Sequence, residues 1–508
     1  MVPQRNATSA DVEALRSALS QTDAYIFGPA DEGYAATIER WSRAAEKPAG
    51  VSIQPTTPEE VSITLKYASE NGIDIAVKGG GHSTAGASST DGGINIDLAR
   101  MRDVRVDVEN KLLYVQGGAL WHDVDAAAWN HGLATVGGTV ADTGVGGLLL
   151  GGGYGHLSGK YGLTIDNVVS ITTVLASGDV VKASETEYPD LFWALRGAGQ
   201  NFGVATEFVL KAYPQGEVYA GMMLFPPTPD NVGKVVGALN DLFVVKETAD
   251  SPQTKAGGRL GCFFGITRPP PAGGHTMLLL IVAAVSIADE ADGKELLRPF
   301  LDIGPVVNTV ALSPYPKINN LAPAEKGYRS SMKGAAFFAP LRPEFVLEVA
   351  ASFEKFVADV PDAVASVVAF EFYDAIKVNE FDNGSFANRG YHLNGLVLPS
   401  WTDKANDAVC RQWARDVTNL FKAELASRGQ ETNNGVESAS RRGKKGATML
   451  YGNYDQYDEI SKDVLGDHYE RLQRIKANYD PKNMFNKLFA ITPVHKSEAL
   501  ESRGPSML

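Results

Sequence analysis

Apolar and polar positions along this chain fall into short strand-like runs and longer helical stripes, and the switches between them mark its elements. Val51-Ser52-Ile53-Gln54 reads as a strand stopped by Pro55. Thr57-Pro58-Glu59-Glu60 then reads as a helix start: a capping hydroxyl, proline in the first turn, acidic residues behind it. Val61, Leu65 and Ala68 give this helix its buried stripe, and Asn71-Gly72 ends it. Residues 73–77 form the next short strand, followed directly by glycines. Strand, helix, strand and glycine turn is the grammar of an α/β nucleotide-binding fold, which leaves many families open.

Farther along, residues 277–285 and 364–372 read as strands, and 343–357 and 404–428 as helices. Together they predict an antiparallel sheet backed by helices, with an exposed turn at Pro269-Pro270-Pro271. Residues 467–486 carry one more helix. No segment of 20 to 50 residues repeats, which excludes a solenoid or propeller. The fold class expected is α+β in two domains, the first made from residues 1–215 together with 441–508, the second from 216–440.

Composition narrows the partners. Hydrophobic residues make up 44% and charged residues 21% of 508, as in ordinary globular proteins. A formal net charge of -13 argues against binding nucleic acid or an anionic membrane, both of which demand a basic face. Arg441-Arg442-Gly443-Lys444-Lys445 is too short a basic run to reverse this and reads as a solvated loop. No apolar run reaches membrane-spanning length. A small-molecule partner remains. Cys262 and Cys410 make no disulfide framework or metal cluster, and no apolar signal region follows Met1, so a cytoplasmic location is expected. The final Ser506-Met507-Leu508 only loosely resembles a peroxisomal address.

Two glycine-dense segments carry the chemistry: Lys78-Gly79-Gly80-Gly81-His82-Ser83-Thr84-Ala85-Gly86, and residues 144–155 from Gly144 through Gly147, Gly152, Gly153 and Tyr154. Glycine lets backbone approach a ligand closely, so N–H groups can converge on a phosphate. The alternative is a pair of tight turns joining strands. The second segment only mimics the dinucleotide fingerprint, lacking a preceding strand and an acidic ribose partner. No partner residues stand at metal-ligand spacing from His82, so no metal is expected.

Gly80-Gly81-His82-Ser83, the second glycine segment, Tyr161-Gly162-Leu163 with Asp166-Asn167, and residues 190–204 ending Gly203-Val204 resemble the flavin domain of the vanillyl-alcohol oxidase superfamily. Within it, the chain resembles the berberine-bridge-enzyme-like oxidases and their 6-hydroxy-D-nicotine oxidase branch. The resemblance implies FAD, bonded through His82 to its 8α-methyl, in a bipartite FAD-binding domain beside a substrate domain. It implies a cradle from Lys78, Gly79, Gly80, Gly81, Ser83, Gly86, Thr143, Gly144, Gly147, Gly152, Gly153, Tyr154, Asp166, Asn167, Gly203, Val204 and Asn453. Val140 stands where many relatives attach the flavin a second time through cysteine, so a single linkage is expected. Leu148 and Lys78 replace a common histidine and arginine. Thr143, where relatives control oxygen access, is neither small nor bulky.

Tyr451-Gly452-Asn453-Tyr454 resembles the family's returning Tyr-x-Asn-Tyr segment, which implies Tyr454 as proton acceptor and Tyr451 as a contact. A phenol of ordinary pKa near 10 needs that value lowered to act near neutrality. Lys377 is a candidate to lower it. Glu371 and Tyr373 share one face of their strand and are candidate substrate contacts, with an edge-strand surface as the plainer reading of these residues and of Arg389. The other histidines, His156 and His392 among them, match no ligand motif and are expected to be structural or exposed. The expected reaction is oxidation of a C–H beside oxygen or nitrogen, with dioxygen as acceptor. An oligosaccharide oxidase, an oxidative cyclase and a non-catalytic flavin binder are the alternatives.

Overall fold

The computed structural model describes residues 5–247, 251–321, 325–432 and 449–494, without the side chains of 247 and 429–432. Segments 441–445 and 506–508 and His495 therefore lie outside the described residues.

The first part begins as expected. Strands Val51–Gln54, Ile94–Asp97 and Ile75–Lys78 pair in parallel, with Tyr25–Phe27 antiparallel at the edge. Helix Pro58–Asn71 makes the crossover. It starts in a capping box, Glu60 N donating to Thr57 Oγ1 and Thr57 N to Glu60 Oε2. It ends on Gly72 at φ 61, ψ 39, a left-handed cap. A second sheet was not anticipated: Val104–Asp107, Leu112–Gln116, Val204–Lys211, Val168–Val174 and Val180–Ser184, all antiparallel.

The middle of the chain forms one antiparallel sheet in the order Val307–Asn308, Val218–Phe225, Met277–Ala284, Leu260–Thr267, Val367–Tyr373, Leu393–Leu398, Lys333–Phe337. Helices Pro229–Phe243, Pro343–Asp359 and Asp407–Thr432 accompany it. Side chains alternate across each strand, so Val368, Phe370 and Phe372 enter the core shared with these helices. Glu371 and Tyr373 therefore emerge on the opposite face, and both are buried. Their strand is central, flanked by Leu260–Thr267 and Leu393–Leu398, which overturns the edge-strand reading.

The tail helix is shorter than expected, Tyr469–Tyr479. Its Leu472 and Ile475, with Tyr451 and Ile491, join the same core as Leu113, Leu149, Leu191 and Phe208. Lys476 is wholly buried and clamps the return, donating to Asn201 O, Asp480 Oδ2 and Phe485 O. Among the described residues no helix is long and apolar enough to cross a membrane.

Candidate active site

The two glycine segments meet back to back. A Cβ on Gly80 would stand 2.3 Å from Gly144 N, and one on Gly144 2.3 Å from Gly80 N. Both positions need glycine for this approach, although neither has a positive φ. Gly147, in the short helix Val145–Leu150, faces open space instead, with nothing within 4 Å of a built Cβ.

His82 lies where the segments cross. Its ring stacks on Trp41, with centroids 5.5 Å apart and planes 11° apart. Nδ1 is 3.4 Å from Thr143 Oγ1, and Nε2 is 3.3 Å from Asp142 Oδ1. The second contact is within ion-pair range but lacks hydrogen-bond alignment. Lys78 is engaged beneath the loop, its Nζ 3.3 Å from both Thr37 O and Asp97 Oδ2. Burial lowers its pKa, with Asp97 opposing. The chain's return fastens the loop from above: Gln456 Oε1 accepts from Thr84 Oγ1 and Ala85 N at 3.0 Å and from Ser83 Oγ at 3.4 Å. Gln456 Nε2 in turn donates to Asn453 O.

Across from this crossing, the buried sheet face meets the tyrosines. Tyr454 Oη donates to Glu371 Oε1 at 2.7 Å. Tyr451 packs between Tyr154 and Tyr454, at 5.1 and 4.8 Å, and its hydroxyl accepts from Asn453 Nδ2. Burial pushes the Glu371 carboxyl up to about 7, against the Tyr454 hydrogen bond, and pushes Tyr451 up to about 12. It also raises Tyr454 and Tyr373 well above the usual phenol range. His156, edge-on to Tyr373, and His392 are lowered to about 4 by burial and are neutral at pH 7.

Glu371 Oε2, His392 Nε2, His156 Nδ1 and Asn394 Oδ1 are buried with no hydrogen-bond partner. One such group costs roughly 1–3 kcal/mol. Three of the four residues, Glu371, His392 and Asn394, line one small cavity with Tyr154 and Tyr373, so these orphaned polar groups are gathered at one place.

Other expected residues stand elsewhere. Lys377 pairs with Glu380 at 2.5 Å and has no contact with Tyr454, so the lowered phenol is replaced by a raised one beside a carboxyl. Arg389 is no surface residue: it is buried and donates to both oxygens of Asp166, at 2.6 and 2.9 Å. Asp166 also caps Leu163 N, while Asn167 donates to Tyr161 O and Leu163 O. Between them and the second glycine segment, Thr164 N and Ile165 N donate to Gly153 O and Gly152 O. A Cβ on Gly203 would lie 2.6 Å from Thr173 Oγ1, and Val204 is buried where its strand pairs with Val174. Trp41, Asp142 and Gln456 escaped the sequence reading, because only the folded chain brings them to the site, whereas His156 and His392, expected to be structural or exposed, are buried.

Residues 49–184 match the family model described as FAD binding domain, and residues 451–491 that described as berberine and berberine like. The FAD-linked oxidoreductase pgmH of Aspergillus terreus is 31% identical over 493 residues, covering 95% of this chain and 96% of its own. The chain belongs to the berberine-bridge-enzyme-like FAD-linked oxidoreductases. It is 27% identical to the (R)-6-hydroxynicotine oxidase of Paenarthrobacter nicotinovorans, over 92% of this chain and 96% of that one. The fold matches the crystal structure of 6-hydroxy-D-nicotine oxidase from Arthrobacter nicotinovorans, with TM-score 0.76 and 24% identity over 93% of this chain and 98% of that one.

The site of this FAD-linked oxidoreductase fits its cofactor. The matched segments hold both glycine runs, His82 and the Tyr451–Gln456 return. The tight approach of Gly80 and Gly144 brings the two loops together, and the open face at Gly147 leaves room that a side chain would fill. The His82 ring is partly buried at the crossing, with no aligned hydrogen bond holding its Nε2.

Proposed function

We propose that the protein is an oxidase of a small metabolite, with FAD held by a single covalent bond from His82. When bound, FAD supplies the acceptor for a hydride from a C–H beside oxygen or nitrogen, and dioxygen takes the electrons to give hydrogen peroxide. Lys78, Gly79, Gly80, Gly81, Ser83, Gly86, Thr143, Gly144, Gly147, Gly152, Gly153, Tyr154 and Asn453 form the cradle, and Asp166, Asn167, Gly203 and Val204 hold its frame. Residues 1–215 and 441–508 make the flavin domain and 216–440 the substrate domain, a division supported by the core that Tyr451, Leu472 and Ile475 share with Leu113 and Leu191.

The observation that carries the proposal is the 2.7 Å hydrogen bond from the half-buried Tyr454 to the buried Glu371. Tyr454 keeps its proton at neutrality, because burial and the nearby carboxyl oppose a phenolate. Glu371, titrating at about 7, is the eventual acceptor. Tyr454 passes its proton to Glu371 Oε1 and takes the one leaving the substrate's oxygen or nitrogen. Tyr451 and Tyr373 supply flat walls. An oligosaccharide oxidase calls for an open groove, whereas here Glu371 is 3% exposed, which favours a small substrate.

The test is a denaturing gel of the purified protein, viewed under ultraviolet light after acid treatment, alongside His82→Ala. A fluorescent band absent from the variant supports the linkage and opens a substrate screen by peroxide release. A dark wild-type band above a yellow supernatant removes the linkage and leaves the FAD site.

A further inference from the structure

Asp142 brings a carboxylate to the edge of the His82 ring, and the proposed oxidation gives it nothing to do. Its turn is held from three sides: Trp121 N donates to Thr143 O at 3.1 Å, His122 N to Ala141 O at 2.9 Å, and Ala141 N to Asn319 O at 3.1 Å. Gly144, two residues beyond Asp142, touches Gly80, two residues before His82. These fixings set Asp142 Oδ1 3.3 Å from Nε2 and Thr143 Oγ1 3.4 Å from Nδ1, while Trp41 covers one face of the ring. Asp142 is 30% exposed. Burial pushes its carboxyl up, but His82 and the charge of Lys326 more than offset this and hold it below the usual range.

A carboxylate at one imidazole nitrogen keeps the proton there and leaves the lone pair on the other, the arrangement that makes the ring a nucleophile. A hydroxyl beside the second nitrogen, as Thr143 provides, suits that lone pair.

We propose that Asp142 is the base for self-attachment of FAD: its carboxylate, within ion-pair range of His82 Nε2, accepts the proton of that nitrogen as Nδ1 bonds to the flavin 8α-methyl carbon. The inference rests on the reading of His82 as the anchor. The Nδ1–C bond forms, one C–H bond of the methyl breaks, and the imidazole N–H is given up. Two protons and two electrons are thus released per attachment, and dioxygen takes them to give one hydrogen peroxide. Asp142 is ready for the next step once its proton passes to solvent.

The test compares full-length wild type, Asp142→Asn and Asp142→Glu, each freed of loosely held flavin and incubated with FAD in air. Intact mass and in-gel flavin fluorescence follow attachment, and NMR of the flavin peptide identifies the bonded nitrogen. Asp142→Asn is expected to bind FAD that acid releases, with attachment slowed on the order of 100-fold. Asp142→Glu restores most of the rate, and the wild-type peptide is bonded at Nδ1. Attachment by Asp142→Asn at the wild-type rate, or a bond at Nε2, overturns the role of Asp142 and leaves His82 as the anchor. An Asp142→Asn protein that takes up no FAD shows a role in binding and also overturns it. Wild-type flavin that acid releases completely overturns the anchor itself.

Discussion

The two sides of the site are built from different materials. At the glycine crossing, backbone lies against backbone, with a built Cβ on Gly80 only 2.3 Å from Gly144 N. On the sheet face, large side chains are taken out of water, with Glu371, Tyr373 and Tyr451 each under 5% exposed. The first side depends on what is missing, a side chain, and the second on protons that burial holds in unusual places. A substitution at the crossing should therefore act through shape, and one on the sheet face through titration.

The largest effect is expected on the sheet face. Glu371→Gln removes the proton acceptor and should lower kcat on the order of 10²–10⁴-fold, with Tyr454→Phe in the same range. Both should retain their flavin, read by intact mass. A loss under tenfold in either would end the role of the pair and make the two sides of the site more alike than argued here.

Next comes shape. Gly80→Ala puts a methyl on rigid backbone and should destabilise the protein by about 1–3 kcal/mol, seen as a lower Tm together with less bound flavin. Gly147→Ala meets nothing in the fold and should change the stability of the flavin-free protein by less than about 0.5 kcal/mol. It should still impair FAD uptake. If both variants lose Tm equally, the face at Gly147 is not open.

How much of this was legible follows the same division. Helix Pro58–Asn71 was readable because Thr57, Glu60 and Gly72 cap it locally. The glycine runs and His82 were readable because the loop is continuous in sequence. Gln456 was not, since its contacts with Thr84 and Ala85 span 372 and 371 residues. The shared face of Glu371 and Tyr373 follows from the strand period, yet only the pairing with Gly261 and Gly395 makes that strand central. The pKa of Tyr454 was misjudged because a cation six residues beyond Glu371 in sequence turned out to serve Glu380.

Titration sharpens the comparison further. Glu371 has a folded pKa of about 7 against an ordinary 4.5. Between those values the folded chain holds the extra proton, so its stability falls as pH rises and levels off above about 7. At 1.36 kcal/mol per pKa unit the span is about 3 kcal/mol, measurable as the stability difference between wild type and Glu371→Gln across pH 5 to 8 in denaturant. Turnover should rise over the same window as Glu371 ionises. A flat stability difference would mean that Glu371 is solvated and that the sheet face is not held out of water.

The smallest effect should come from Lys377→Ala. Its side chain is 37% exposed and tied to Glu380, an arrangement typically worth about 0–1 kcal/mol when solvated. Tyr454 donates its hydrogen bond to Glu371, on the strand that precedes the Lys377 helix, and gains no cation from Lys377. Turnover in Lys377→Ala should therefore stay within about twofold of wild type, and the pH of half-maximal rate should not move. A shift of that midpoint to higher pH would mean that Lys377 swings from Glu380 toward the phenol when substrate binds, and the sheet face would then be set by a charge rather than by burial alone.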